Sequence, residues 1–396
     1  MQVTISVGGR FHGFDLAQQL HKRGFLRSLI TSYPQFKVAE WGIEQSRIRS
    51  IISHEVFSRV SRKLRISDLQ TNLNRRYDRI AAKRITADID ILVAWSSMAL
   101  CSLARARALG AKTILERGSA HIAYQDQLLR EEYEITGTKP ELPDRGVIEQ
   151  ECQEYNQADY ICVPSTFAYR SFVERGVSPS KLLIVPLGVD AHQFRPVPKQ
   201  GSSFRVIHCG ALTVQKGIHY LLQSFHELRL RDAELWLVGT ITQEAERYLS
   251  RYGSPNVVVW GTFPQSELGH MYSQGSVFCA ASVQDGFGMV IPQAMACSLP
   301  VICTTNTAAH DLVRDGIDGF VVPIRNTEAL KESMHFLYSH RDQARRMGEE
   351  ARKRILEAFT WDHYGERIVN QYSRVLRGIA REGIQQDGAV STARVS

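Results

Sequence analysis

The stretch that most constrains this chain lies between Ser276 and Cys303. An apolar run, Ser276-Val277-Phe278-Cys279-Ala280, reads as a strand and leads into a turn holding Asp285, Gly286 and Gly288. A helix follows with Pro292 in its first turn, where a missing N–H breaks no hydrogen bond. After Leu299-Pro300 a second buried strand begins, Val301-Ile302-Cys303. Two strands joined through a helix belong to a parallel sheet covered on both faces. Free N–H groups at such a helix start favour an anion, typically a phosphate.

The same strand–helix unit recurs through the chain. Apolar segments at 3–7, 26–31, 89–94, 112–116, 160–164 and 181–186 read as strands with amphipathic segments between them. Residues 187–201 turn rich in Pro and Gly, which marks a linker. A second series opens at 204–209 and continues at 234–238, 256–260, 276–280, 301–303 and 320–323. The expected organisation is an N-terminal domain over 1–188 and a C-terminal domain over 189–365. A helix at 366–384 is expected to return to the first domain, and 385–396 to form a disordered tail. In open α/β sheets ligands bind at the strands' carboxyl ends, so the expected site is the cleft between the two domains.

Composition narrows the partners. At 396 residues the chain exceeds one ordinary core, and 43% apolar with 22% charged residues describes a globular protein. No uncharged run reaches the length of a bilayer span, and the first residues read as a strand, not a signal peptide. Seven scattered cysteines without a CxxC pair fit free thiols in a reducing cytoplasm. The formal charge is +7, yet 46–85 alone holds eleven basic and three acidic residues. With Val56, Phe57, Val60 and Leu64 at helical spacing, this segment is expected either on an anionic membrane surface or as a solvated face near the cleft. Nucleic acid is a poor third, since no aromatic stacking pattern accompanies the charge.

Four separated motifs carry a family resemblance. They are Ala158-Asp159-Tyr160-Ile161-Cys162-Val163-Pro164-Ser165; Val185-Pro186-Leu187-Gly188-Val189-Asp190 with Phe194 and Pro196; Gly210-Ala211-Leu212 with Lys216-Gly217; and the stretch from Ala281 to Pro300 continuing to Asp311-Leu312-Val313 and Gly316-Ile317-Asp318-Gly319-Phe320. Phe359-Thr360-Trp361 agrees with them. In this order they resemble the retaining glycosyltransferases of family 4, the "group 1" family. The resemblance implies an α/β chain with the GT-B fold, two doubly wound Rossmann-like domains facing across a cleft.

It also implies roles. Asp285 matches the first acid of an acid–seven residues–acid pattern and is expected to contact the donor sugar. The second acid, which grips the ribose, is here Gln293, an amide that still hydrogen-bonds a diol but without charge assistance. Gly286, Phe287, Gly288, Met289 and Val290 are expected to cradle a diphosphate, with Gly210 beside it and Lys216 as its cation. Ala211 stands where the family has an arginine, so Arg117 or Arg10 would have to supply that contact from the other domain. Gly8-Gly9 resembles the family's loop near phosphate and acceptor. His121, after strand 112–116, is expected to face the donor sugar, with His12 a weaker companion.

Asp88-Ile89-Asp90 has the spacing of a metal-binding pair, but it precedes its strand and so lies at the wrong end of the sheet; no metal is expected. The implied function is metal-independent hexosyl transfer, with no cofactor, from a UDP- or GDP-type nucleotide sugar to a glycan or lipid-linked acceptor. It would serve surface polysaccharide or glycolipid assembly in the cytoplasm or on the inner membrane face. A hydrolysing nucleotide-sugar epimerase and a non-catalytic nucleotide-sugar-binding partner subunit remain alternatives, the latter motivated by Gln293 and Ala211. An NAD dehydrogenase is disfavoured because no GxGxxG opens either domain.

Overall fold

A computed structural model describes residues 1–52 and 67–378. The apolar positions of the basic segment, Val56, Phe57, Val60 and Leu64, and the expected tail lie outside the described residues.

The first sheet is parallel throughout and built from β1 (Val3–Val7), β2 (Leu26–Thr31), β3 (Ile48–Ser50), β4 (Ile91–Trp95), β5 (Lys112–Glu116), β6 (Tyr160–Val163) and β7 (Leu182–Ile184). Its order is β3-β2-β1-β4-β5-β6-β7. The second sheet holds β8 (Phe204–Cys209), β9 (Ala233–Val238), β10 (Val257–Gly261), β11 (Val277–Ala280), β12 (Val301–Thr304) and β13 (Gly319–Val322), in the order β10-β9-β8-β11-β12-β13. Strand order reverses at β1/β4 and at β8/β11. These are the switch points where crossover helices leave on opposite faces and open a crevice.

Burial on both faces explains the composition of the central strands. All five residues of β1 and of β4 are buried, so polar Thr4 and Ser6 must find partners inside. Thr4 Oγ1 meets Ser28 Oγ at 3.0 Å, and Ser6 Oγ meets the Tyr77 hydroxyl at 3.4 Å.

Helices α1 (Gly13–Lys22), α2 (Gln35–Ala39), α3 (Ser67–Lys83), α4 (Leu100–Ala108), α5 (Ile122–Thr136), α6 (Arg145–Gln157) and α7 (Thr166–Glu174) accompany the first sheet. The second carries α8 (Ile218–Leu228), α9 (Gln243–Tyr252), α10 (Gln265–Ser273), α11 (Val290–Ala296), α12 (Ala309–Leu312), α13 (Thr327–Ser339) and α14 (Arg341–Ala358). The last helix, α15, runs Trp361–Arg377 and starts five residues ahead of the expected 366. Thr360 caps it, with His363 answering in the reciprocal position usually taken by Glu or Gln. Its buried stripe, Tyr364, Ile368, Tyr372 and Val375, faces inward, and Arg23 of the α1 end reaches the Asp362 carbonyl at 3.0 Å.

The chain passes between the sheets twice, and the two passages touch. Val189 N–H donates to the Phe359 carbonyl at 2.9 Å, and Val189 bridges Thr360. Helix α5 reaches across on another side. Its Leu129 and Tyr133 pack in the core of the second sheet, and buried Glu132 accepts from His219 Nε2 (2.8 Å) and Arg325 Nε (2.6 Å).

Candidate active site

A cavity of about 620 Å³ lies between the carboxyl ends of the two sheets. Gly210, Lys216, Asp285, Phe287, Gly288, Met289, Val290 and Gln293 form its wall on the β8/β11 side. Arg10, Phe11, His12, Asp15 and Gly118 form it on the β1/β5 side. A smaller cavity of about 390 Å³ adjoins it, sharing Arg10, Asp15, Gln265, Met289, Gln293 and Trp361.

Asp285 is fixed by the turn that follows β11. Its N–H donates to the Asn306 carbonyl (3.0 Å), Oδ1 accepts from Gly288 N–H (3.1 Å), and Oδ2 forms an ion pair with Lys216 Nζ. The Gly288 amide is therefore spent on Asp285, whereas Met289 and Val290 N–H make no hydrogen bond to other described residues. Lys216 arrives on a tight turn whose N–H bonds back to the Thr213 carbonyl at 3.1 Å. Gly217 makes this possible: it sits at φ 66°, and a Cβ there would lie 1.8 Å from the Ala281 carbonyl oxygen. No other residue lets the lysine turn close on the end of β11.

Gly286 is the point where the two halves touch. A Cβ on it would lie 2.3 Å from both Gly118 O and Ser119 Cα of the first half. The contact is stitched by Ser165 Oγ donating to the Gly286 carbonyl (2.5 Å) and Gln284 Nε2 donating to Ser119 Oγ (2.8 Å). Beside it, Thr166 donates to Asp311 through N–H (2.9 Å) and Oγ1 (2.6 Å). Gln293 receives a hydrogen bond on Oε1 from the Tyr272 hydroxyl (3.3 Å). Its amide NH₂ is thus the group left for a ligand.

Arg117 is half-buried and engaged, donating to the Ala120 carbonyl, Glu151 and Gln125. Arg10 stands on the cavity wall with its guanidinium 4.7 Å over the Trp41 ring and forms no ion pair among the described residues. Of the two candidates, only Arg10 faces the cavity.

Four expected residues are not brought to the wall: Gly286, which lies at the contact between the halves, and His121, Gly8 and Gly9. His121 caps α5: Nδ1 accepts from Ala123 N–H (3.2 Å), and the ring packs on Tyr155 (4.8 Å) and Phe172 (5.0 Å). Burial, then nearby Arg117 and Arg175, lowers its pKa to about 4. A histidine at a strand's end also begins the next helix, and here capping took the side chain inward. Gly8 has both backbone groups occupied, its N–H by Met98 Sδ (3.1 Å) and its carbonyl by Ser32 Oγ (2.8 Å). Gly9 turns the chain so that Arg10, Phe11 and His12, instead of the glycines, meet the cavity. Asp88 and Asp90 sit at the opposite end of β4, bonded to Arg27 and to the Gln2 N–H.

Sequence reasoning underrated His12 and missed Asp15 and Glu116. The available signal was polar residues at the start of a helix directly after β1, at the carboxyl end of a switch-point strand. His12 Nε2 lies 3.2 Å from Glu116 Oε2. Asp15 is raised from its ordinary 3.8 to about 6 by burial, partly opposed by His12 and Arg10. Folded Asp15 thus holds its proton more tightly than unfolded Asp15, so stability falls as pH rises from about 4 to about 6 and is level above. Asp15→Asn should abolish that fall, gaining about 1–3 kcal/mol at pH 7 and nothing at pH 4 in urea unfolding.

Two parallel sheets meeting at their carboxyl ends, with a lysine–aspartate pair in the cleft, define a protein of the GT-B class. The chain belongs to the family 4, group 1 glycosyltransferases. The family described as Glycosyltransferase Family 4 matches residues 8–193, and Glycosyl transferases group 1 matches residues 203–340. Among curated relatives, the MMP alpha-(1->4)-mannosyltransferase of Mycolicibacterium hassiacum is 26% identical over 227 residues, covering 56% of this chain and 55% of that one. The chain spans about half the length of the curated relatives it matches. Among solved structures, sucrose-phosphate synthase of Thermosynechococcus elongatus superposes with a TM-score of 0.72 at 18% identity, covering 96% of this chain and 100% of that one. HepE of Anabaena, solved with UDP and glucose, gives 0.67 at 14% identity, covering 94% and 99%.

Proposed function

We propose that the chain is a retaining glycosyltransferase that moves a hexose from a UDP- or GDP-type nucleotide sugar to a hydroxyl of a glycan or lipid-linked acceptor. The observation that carries this reading is the Lys216–Asp285 pair on the wall of the interdomain cavity. Lys216 and the Met289 and Val290 amides take the diphosphate, Asp285 the sugar hydroxyls, and the Gln293 amide the ribose. As the C1–O bond breaks, negative charge gathers on the leaving phosphate oxygen. Groups already aimed at it stabilise that charge without reorganising, so the mechanism needs neither metal nor cofactor. The acceptor oxygen enters on the face being vacated, and its proton passes to the leaving phosphate.

Three further points support the reading. A relative named a mannosyltransferase and a structural neighbour solved with UDP and glucose fit a nucleotide-hexose donor. The two passages between the sheets, side by side at Val189 and Phe359, form a compact hinge for closing the cleft. For a lipid-linked acceptor at a membrane's inner face, exposed Phe36 and Ile52 share a surface pocket with Arg49 and Arg84. Among the described residues no helix is long and apolar enough to cross a membrane.

A thermal-shift panel of UDP, GDP, ADP and their sugars tests donor binding. A ligand at about 100 times its Kd stabilises by about 2.7 kcal/mol, so one base class should raise Tm by several degrees. No shift with any of them would remove the nucleotide-sugar reading.

A further inference from the structure

The resemblance implies a histidine facing the donor sugar, and His121, expected there, is a buried helix cap. The loop after β1 brings a different histidine. His12 is part of the wall that faces Asp285 and Lys216, and its ring is held by Trp95 (5.0 Å) and Tyr364 (6.4 Å). Behind it, Glu116 closes β5 at 3% exposure, with Oε2 on His12 Nε2 and Oε1 buried without a partner among the described residues. A carboxylate that accepts from Nε2–H leaves the lone pair on Nδ1. Nδ1 makes no hydrogen bond among the described residues, and His12 lines the cavity.

We propose that His12 is a catalytic residue that faces the transferred sugar, accepting a hydrogen bond from one of its hydroxyls through Nδ1, and that Glu116 is the positioning residue behind it. Glu116 fixes the tautomer and makes the ring electron-rich towards the anomeric carbon, where positive charge develops as the bond to the diphosphate breaks. The imidazole takes no proton in this step. The electron pair of the broken C1–O bond leaves on the phosphate oxygen, the acceptor oxygen bonds C1, and its proton goes to that phosphate oxygen. The inference rests on the cavity being a nucleotide-sugar site.

Calorimetry with UDP, GDP, UDP-glucose and GDP-mannose, together with donor cleavage by water, separates the possibilities on wild type, His12→Ala, His12→Asn and Glu116→Gln. His12→Ala should bind the nucleoside diphosphate within about two-fold of wild type but the nucleotide sugar about ten-fold more weakly, and should lose about 10²–10³ in kcat. Glu116→Gln should keep KM within about two-fold and lose roughly ten- to a hundred-fold in kcat, a split that a purely structural residue would not show. His12→Asn suits the same helix start and keeps the test if the alanine variant does not fold. Wild-type cleavage and sugar affinity in both His12 variants would overturn the proposal. So would equal weakening of diphosphate and nucleotide sugar, which would place the ring on phosphate. If the wild type itself binds none of the four ligands, the donor-site reading falls and takes this proposal with it.

Discussion

Replacing Lys216 or Asp285 with alanine should each cost on the order of 10²–10³ in kcat for transfer while leaving the fold intact. The two side chains share one ion pair on the cavity wall, partly open to solvent at 27% and 21% exposure. At that exposure the pair contributes at most about 1 kcal/mol to stability, so Tm should move by only a few degrees. Because one ion pair couples the two, the double variant should lose less kcat than the product of the two single losses. Activity of either single variant within about ten-fold of wild type would sink the assignment of the pair to chemistry. A multiplicative loss would show that the ion pair does not couple them.

Gly286→Ala is the second large effect, and it acts through a different cause. The new Cβ would meet Gly118 O and Ser119 Cα at 2.3 Å, both on the opposite half of the molecule. The three atoms nearest the new Cβ all belong to the opposite half, so the turn itself should still form and bind nucleotide within a few-fold of wild type. What the methyl group blocks is the approach of the halves, by roughly an ångström, and a misplacement of that size costs on the order of 10² in kcat. Small-angle scattering should show a more open molecule with nucleotide sugar present. A Gly286→Ala enzyme with wild-type kcat would mean that chemistry does not require this contact.

The parts of the fold legible in the sequence are those whose signal is local. The β11–turn–α11–β12 unit could be read residue by residue, because apolar strands, glycines and Pro292 fall within one short span. β3 went unseen because three residues, Ile48–Ser50, carry no periodicity, and their place is an edge position beside β2. α14 was missed for the opposite reason: its buried stripe is made largely of Ala344, Met347, Gly348, Ala351 and Ile355, small residues scattered among charges. The α14–α11 packing needs that small stripe, since a Cβ on Gly348 would lie 2.1 Å from the Ser298 carbonyl.

The site divides along the same line. Its β8/β11 side is built from motifs close in sequence, and Lys216, Asp285 and Gln293 stand together on one wall. Its β1/β5 side depends on pairings that no motif announces. His12 and Glu116 are 104 residues apart and meet only because β1 and β5 flank β4. His121 carried the stronger local signal, a histidine after a strand, yet the helix that begins there turned it into the core. Arg117 and Arg10 were equivalent as sequence; only the buried Glu151 partner of Arg117 distinguishes them.

Sugar transfer in this cavity has a direct readout. Incubating the wild-type protein with the nucleotide sugar selected by the thermal-shift panel and a lipid-linked or glycan acceptor, then resolving the products by mass spectrometry and anomeric NMR, tests it most directly. The expected result is nucleoside diphosphate and a new glycoside in equal amounts, with the donor's anomeric configuration kept. Release of a free or epimerised sugar unaffected by acceptor, or tight nucleotide-sugar binding without any turnover, would contradict it.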